Sequence, residues 1–559
     1  MKAAVFLFII FLIHISSLWS TDSLAGANYG DPLAHAAMPE WYCSNVLTWN
    51  LHTDRYYAPA GVDLSTNYDS PFPLILTCPF LPLGGHVQFH IFVAIQILLI
   101  VLSALLVART ITPAWLWQCA YVLFAWFTGF YFSQSIEHFT LLSGVWGFQV
   151  VLWCFLTANL NRRRETIARG GLLGLAFAGT FHNVAMLAIP CLVLTIVLFL
   201  RERPLRRPQI FNSLAALFTF VFVSGALFLP SALAYLSTDL IDLGSTRGFY
   251  SADLLAFFMP SITSQMYAWY TNLHIPFELA THFERTNSLD LLVWIPLLLS
   301  ALTKEFWRRP VNVALLSLAV LFLFLSWGPM IKTQDHEIVA NPISQLLSVF
   351  PLSLSHNPGR LLLVSVLSLI YLAFSGSNQL WGQKRWFGLA GMLVIVWAIL
   401  SGPVLNKSIF VPTMDLGPLL PERGLNAIRA DRTGSLVANL PFAQIQDAAQ
   451  NYLQLRHRKP ITAGYLAYTA YPKDDRSIQK LPYFDPQSCS TGPTTFLTPP
   501  WTYVREDLRR NGIHHIVLNK NIMGSAPCSA LRSWINRLAT EPWVTKIDEN
   551  EFYVILQVD

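Results

Sequence analysis

Residues 91 to 108, IFVAIQILLIVLSALLVA, carry no charged side chain, and runs of this kind recur along the chain as far as residue 405. About 20 apolar residues in a helix cross the hydrocarbon of a bilayer. Lipid offers the backbone no hydrogen bonds, so such runs become helices that satisfy their own N–H and C=O groups. Over 559 residues the composition is 53% hydrophobic and 12% charged, too apolar for a soluble multidomain protein. The expectation is an α-helical polytopic membrane protein. A formal charge of +5 does not point to nucleic acid, because the basic residues stand in short clusters between apolar runs, as cytoplasmic loops require.

Those clusters orient the chain. Lys2, Arg109, the triplet at 162 to 164 with Arg169, and the groups at 201–207, 304–309 and 384–385 are assigned to the cytoplasm. Helices near 4–20, 91–108, 112–132 and 140–160 then run out, in, out and in. The stretch 168–200 is too long for one crossing and basic at both ends, so it is read as two short helices meeting at His182-Asn183. Helices near 210–233, 289–303, 311–329, 360–376 and 387–405 complete eleven spans. Residues 21–90, 235–288 and everything after 405 fall outside, with a smaller outside loop at 330–359. Lys2, the short apolar run and the small residues near Ser20 also fit a cleaved signal peptide, but the run extends to a full span and is read as retained.

The seven cysteines are consistent with this layout. Cys43 and Cys78 lie in the first outside loop, and Cys489 and Cys528 in the outside C-terminal region, which makes two plausible pairs on an oxidising face. Cys119, Cys154 and Cys191 fall inside spans, where thiols act as small apolar side chains.

After residue 405 the pattern changes. Ser435 to Leu440, Ile513 to Leu518 and Phe552 to Val558 read as strands, and Ala443 to Leu455 and Ala530 to Leu538 as helices, with Gly512 stopping a helix ahead of the second strand. The chain is thus divided into a transmembrane part, 1–405, and an outside α/β part, 406–559. The α/β part has no glycine-rich phosphate loop, nucleophile elbow or HExxH, and reads as an accessory module.

Candidate chemistry lies in the outside loops. Asp31, in Gly30-Asp31-Pro32, is an acid just beyond the first helix, placed to act as a base toward a substrate whose apolar tail stays in the bilayer. The alternative is a turn Asp before proline. Glu137 and His138 occupy the tight turn between the third and fourth helices, where an acid-histidine pair either orients an acceptor, ligates a metal, or simply solvates the turn. His86 and His90, four apart, share a helix face suited to phosphate or metal, unless neighbours satisfy them. Aromatic clusters at 39–42, 55–57 and 266–270 are interfacial anchors or surfaces on which sugar rings stack.

This order of features resembles the GT-C superfamily of membrane glycosyltransferases: a first helix, a long outside loop opening with an acid, many spans and an outside C-terminal domain. The likeness is carried by Gly30-Asp31-Pro32, by 133–140 (SQSIEHFT), by 251–260 (SADLLAFFMP), and by Ser326-Trp327-Gly328-Pro329 followed by Pro351 and Pro358-Gly359-Arg360. Several superfamily enzymes place a second acid directly after the loop Asp, where this chain has Pro32.

The resemblance implies a polyprenyl-phosphate sugar donor, a glycan, lipid or protein acceptor outside the cytoplasm, and Asp31 as the catalytic acid. It leaves room for a divalent cation as cofactor. Transfer from a lipid phosphate needs a base for the acceptor hydroxyl and positive charge for the leaving phosphate. Asp31 supplies the first, and Arg360 or Arg247 the second, unless Arg360 only snorkels to the interface. Glu137, His138, Asp253 and His86 complete the expected substrate-binding set. The competing class is a lipid or polysaccharide transporter, or a non-enzymatic envelope-assembly factor. Spans nearly free of charge argue against a transport path, and the His182-Asn183 break is the one feature in its favour.

Overall fold

A computed structural model describes residues 1–27, 31–45, 52–56, 58, 61–63, 70–128, 130–131, 134–135, 138–180, 182–237, 251–254, 289, 291–333, 336–354, 357–381, 387–399, 410–433, 435–440, 449–462, 501–520 and 529–559. Apolar helices build most of it. They begin with α1 (Lys2–Ile15), pass the loop helices α2 (Asp31–His35), α3 (Met38–Asn45) and α4 (Pro71–Thr77), and continue with α5 (Gly85–Ile111), α6 (Trp115–Trp126) and α7 (Ser143–Leu156). Next come α8 (Arg163–Phe177), α9 (His182–Arg201), α10 (Arg207–Ser237), α11 (Leu291–Ala301), α12 (Lys304–Trp307), α13 (Pro310–Ser326), α14 (Leu362–Trp381) and α15 (Phe387–Ile399).

A helix stands at each of the eleven positions expected of a span. Among the described residues six are long and apolar enough to cross a bilayer unaided. The others are shorter, so the molecule is a mostly helical membrane protein with several apolar helices, and the number of crossings belongs to the proposed topology. The helix ending in α14 is 94% buried over its apolar window and forms the centre of the bundle, whereas α10 is 6% buried and turns its Phe211, Phe218 and Phe222 outward. With no water to drive it inward, that face suits lipid.

The break in 168–200 falls at the polar pair, α8 ending at Phe177 and α9 opening at His182. α8 starts earlier than the expected 168, so Arg163, Arg164 and Glu165 are helical rather than loop residues, and Glu165 pairs with Arg162 (2.8 Å) and Arg169 (3.4 Å). Any side chain at Gly170 would strike the backbone of Ala216, so α8 and α10 approach at backbone contact.

The first loop is tied down at several points. Cys43 on α3 is disulfide-bonded to Cys78. Cys489 and Cys528, the other expected pair, lie outside the described residues. Cys119, Cys154 and Cys191 are free thiols, the first two buried. Glu40 on α3 is buried, and its Oε2 accepts the Gly85 N–H (3.1 Å) at the start of α5, where an acid complements the helix dipole. Arg55 (3.5 Å) and Arg458 (3.8 Å) approach the same carboxylate. Trp41, Tyr42 and Tyr56 are core residues, with Trp41 and Tyr56 rings 4.1 Å apart, so the expectation of sugar-stacking surfaces fails for these three: their faces are used up by packing.

Beyond residue 410 the chain returns to that loop. β1 (Ser23–Ala25) pairs antiparallel with β6 (Thr413–Asp415), and Ser17 donates from its hydroxyl to Val411 O across 394 positions. A four-stranded sheet follows in the order β7 (Leu436–Leu440), β8 (Ile513–Asn519), β10 (Tyr553–Val558), β9 (Val544–Glu549), with β7 and β8 parallel and the rest antiparallel. Period-two alternation divides its faces. Leu436, Ala438, Leu440, Leu518 and Leu556 pack with α18 (Trp501–Arg510) and α19 (Ser529–Leu538) through Val504, Leu508, Trp534 and Leu538. Val437, Val517, Tyr553 and Ile555 point the other way, into a core continuous with the apolar helices. Gly512 stands at φ +68°, the conformation that stops α18 ahead of β8. The expected strands and helices of this region match β7, β8, β10, α17 (Ala449–His457) and α19 within a few residues where described; β6, β9 and α16 (Glu422–Ala430) were not foreseen.

Candidate active site

Asp31 opens α2, with Pro32 in the first turn, where its missing N–H costs nothing. Its Oδ2 lies 2.8 Å from Nδ1 of His138, a charge-assisted distance, with the two side chains 19% and 16% exposed. His138 precedes the 3-10 turn Phe139–Leu142 that leads into α7, and its N–H donates to Gln134 O (2.7 Å). The backbone thus aims the ring. Since Nδ1 meets the carboxylate, Nε2 is the opposite nitrogen, and Asp31 fixes the ring's orientation. The His35 ring centroid, on the same short helix as Asp31, is 6.4 Å from that of His138.

Arg360 sits in the 3-10 turn Pro358–Leu361 at the start of α14, 5% exposed, with Nη1 3.4 Å from Nε2 of His182. A guanidinium only donates, so His182 accepts at Nε2 and carries its proton on Nδ1. Arg360 is therefore buried inside the protein rather than snorkelling at a surface. Asn183, next to His182, donates to Ser143 O (3.3 Å) and Ala176 O (2.7 Å). Gly144 packs against Leu363 and Met186, where a Cβ would meet either at 2.9 Å. The turns bearing Arg360 and His182 therefore converge on the first turn of α7, five residues beyond His138. Both polar pairs stand at one end of the bundle.

The remaining candidates are placed differently. Asp253 is buried in a short segment whose neighbours bond the end of α13 and the strand β4 (Met330–Thr333): Ala252 N–H to Ser326 O (2.8 Å), Leu254 N–H to Lys332 O (2.9 Å). His86 bonds the Tyr452 hydroxyl through Nδ1 (2.8 Å) and lies edge-on to His90 (4.5 Å), whose Nε2 accepts the Ala25 N–H (3.2 Å). These two histidines join α5 to β1 and α17. Glu137 and Arg247 lie outside the described residues, as does the aromatic cluster at 266–270. Among the described residues no group of three His, Cys, Asp or Glu side chains is arranged to hold a metal ion. The sequence reading missed His182 as Arg360's partner, having treated it as a helix break, and missed His35; a histidine opening a helix in an otherwise apolar run was the available signal for the first.

The fold of this bundle of apolar helices recurs in solved structures. The arabinofuranosyltransferase AftD from mycobacteria superposes with a TM-score of 0.59 at 14% identity, over 100% of this chain and 40% of that one. ArnT from Cupriavidus metallidurans, bound to undecaprenyl phosphate, gives 0.52 at 14% over 99% and 97%. The Archaeoglobus fulgidus oligosaccharyltransferase, in complex with zinc and sulfate, gives 0.53 at 12% over 95% and 69%. These are GT-C glycosyltransferases, and the chain shares their fold. It spans well under half the length of AftD. Comparison with curated protein sequences finds no match. Over residues 2–400 the sequence matches the family described as "Domain of unknown function (DUF6311)", and the chain belongs to that family.

Proposed function

We propose that the protein is a membrane glycosyltransferase that moves a sugar from a polyprenyl-phosphate-linked donor to a lipid, glycan or protein acceptor outside the cytoplasm. The observation that carries this reading is the Asp31–His138 pair, a base and its orienting partner, at the same end of a GT-C bundle as the buried Arg360. In the proposed reaction the acceptor oxygen attacks the anomeric carbon while the bond from that carbon to the phosphate oxygen breaks. The acceptor proton passes to the Asp31 carboxylate, and the electron pair leaves with polyprenyl phosphate. Arg360 offsets the charge that builds on the leaving group, a stabilisation stronger inside a water-poor site than in bulk solvent. His138 holds Asp31 in place. Glu137, Arg247, Asp253 and His86 remain proposed contributors to substrate binding.

The proposal includes eleven spans, an N-terminus in the cytoplasm, and a division into residues 1–405 and 406–559, with the second part outside a bacterial inner membrane. The pairing of β1 with β6, and of His86 with Tyr452, supports the first loop and the C-terminal part lying on one side; the basic clusters argue that this side is the outside. The test is incubation of purified protein with labelled polyprenyl-phosphate sugars and a membrane extract. Label moved to an acceptor by the wild type is the expected result. No transfer from a broad donor panel favours a non-enzymatic assembly role.

A further inference from the structure

At the basic end of the bundle a cavity of about 460 Å³ lies between α8, α9, α10 and the end of α7, within the roughly 300–1,000 Å³ typical of ligand pockets. Phe155, Leu173, Leu198 and Phe220 give it apolar walls, and the outward-facing Leu214 and Leu217 place its mouth on the lipid-facing flank of α10. Arg169 is the one charged side chain among the described residues of its lining. The Arg169 side chain is 14% exposed, its guanidinium lies 5.9 Å above the Trp153 ring, and its Nη2 reaches Glu165 Oε2 at 3.4 Å, while Arg162 holds the other oxygen of that carboxylate at 2.8 Å. Nε and Nη1 of Arg169 are buried and bond no acceptor among the described residues. Two guanidinium groups thus share one carboxylate, which leaves net positive charge at the cavity wall, and buried N–H groups on a cation are costly to leave unbonded, so Arg169 calls for an acceptor from outside the chain. The acceptor must be anionic to match the guanidinium and must arrive attached to something apolar to fill the walls. Around the cavity, the arginine clusters at 162–164 and 201–207 add further positive charge.

We propose that this cavity binds one anionic phospholipid of the leaflet on the basic side, with an acyl chain between α9 and α10 and the phosphate against the Arg169 guanidinium. The proposal does not depend on glycosyl transfer, because it concerns the end of the bundle marked by the basic clusters rather than the end that holds Asp31. The guanidinium binds the phosphate of any phospholipid, but it and the arginine clusters around it repel a headgroup cation such as choline, so lipids of net negative charge are favoured over zwitterionic ones.

Native mass spectrometry of the full-length protein, delipidated in detergent and titrated with phosphatidylglycerol, phosphatidylcholine or inorganic phosphate, tests it. One phosphatidylglycerol is expected to bind with about tenfold preference over phosphatidylcholine, with inorganic phosphate displacing neither. Arg169→Gln should abolish the preference, Arg169→Lys should keep part of it, and Ser213→Phe, which fills the cavity from α10, should remove the bound lipid of either kind. Equal binding of the two lipids by the wild type, unchanged preference in Arg169→Gln, or displacement of phosphatidylglycerol by inorganic phosphate overturns the proposal. If Arg169→Gln does not fold, Arg169→Lys and Ser213→Phe decide it, and a preference unaffected by both is equally fatal.

Discussion

Replacing Asp31 by Asn separates catalysis from structure. The substitution keeps the size of the side chain and an acceptor oxygen for His138 Nδ1, so the 2.8 Å contact survives as a neutral hydrogen bond. A charge-assisted bond contributes roughly 1.5–3 kcal/mol and a neutral one roughly 0.5–1.5, so the loss is about 1 kcal/mol, reduced further because about a fifth of the Asp31 side chain is in solvent. Removing the proton acceptor acts on the barrier instead. A loss of at least about 100-fold corresponds to about 2.7 kcal/mol, the low end for acid-base catalysis. The expected outcome is a protein of nearly wild-type abundance and melting temperature, with transfer from a labelled polyprenyl-phosphate sugar cut at least about 100-fold and donor binding little changed. Asp54→Asn should be milder, since that side chain is 79% exposed and paired, among the described residues, with the loop's own His52, and so should Asp63→Asn on β3 (Val62–Asp63). Full activity in Asp31→Asn would refute the assignment. If His138→Gln or Glu137→Gln alone abolishes transfer while Asp31→Asn does not, the base lies in the turn before α7.

Reduction of Cys43–Cys78 frees a loop spanning 35 positions, for which chain entropy gives about 4 kcal/mol, so thermal melting of the purified protein should fall markedly with reductant or in Cys43→Ser; an unchanged melting curve would show the loop to be held by its other contacts. His457 is buried, and burial first, then the positive fields of His515 and Lys459, pushes its pKa down to about 3. The unfolded chain takes up that proton near pH 6.5, so the stability that neutral His457 contributes is complete above pH 6.5 and declines as pH falls below it, by at most about 1.4 kcal/mol per unit. Melting followed between pH 8 and 5 should show this slope, and His457→Gln should flatten it; an identical slope in the variant assigns it to other groups. Reporter fusions after residue 30, near 260 and at the C-terminus are expected to read outside, and those near 163, 205 and 306 cytoplasmic. A cytoplasmic C-terminus would break the proposed topology at its root.

How much of this was legible depends on the range of the physics involved. Apolar runs are local, so the positions of α1, α5 to α11 and α13 to α15 were readable, as was the break at His182-Asn183, the strongly polar pair in a long apolar stretch; the short loop helices α2, α3, α4 and α12 were not. Strands β7, β8 and β10 were readable because each is a dense run of buried residues. Strand β1 was not: three residues in a polar loop carry no alternation to detect, and only pairing with β6 makes them a strand. Asp31 and His138 were both singled out, but for separate roles, because nothing in spacing says that residues so far apart will meet at 2.8 Å. Nothing local sets Glu40 apart from other loop acids, and its burial against Gly85 N–H depends on a helix end about 45 positions away. For Arg360 the sequence left a phosphate-facing charge and a snorkelling side chain both open, since no local signal distinguishes a snorkelling arginine from one bonded to a distant histidine.

The tie between Ser17 and Val411, with the β1–β6 pairing beside it, bears on how the molecule is made. A ribosome adding roughly 5–20 residues per second needs about 20 to 80 s to cover the 394 positions that separate these partners. In the proposed topology the segment bearing Asp31 has by then crossed the membrane, and throughout that interval it lacks the strand that completes its sheet. The loop must therefore wait, exposed to proteases and folding catalysts, until the last part of the chain arrives. A stop codon near residue 405 would leave every apolar helix intact and the loop permanently unfinished.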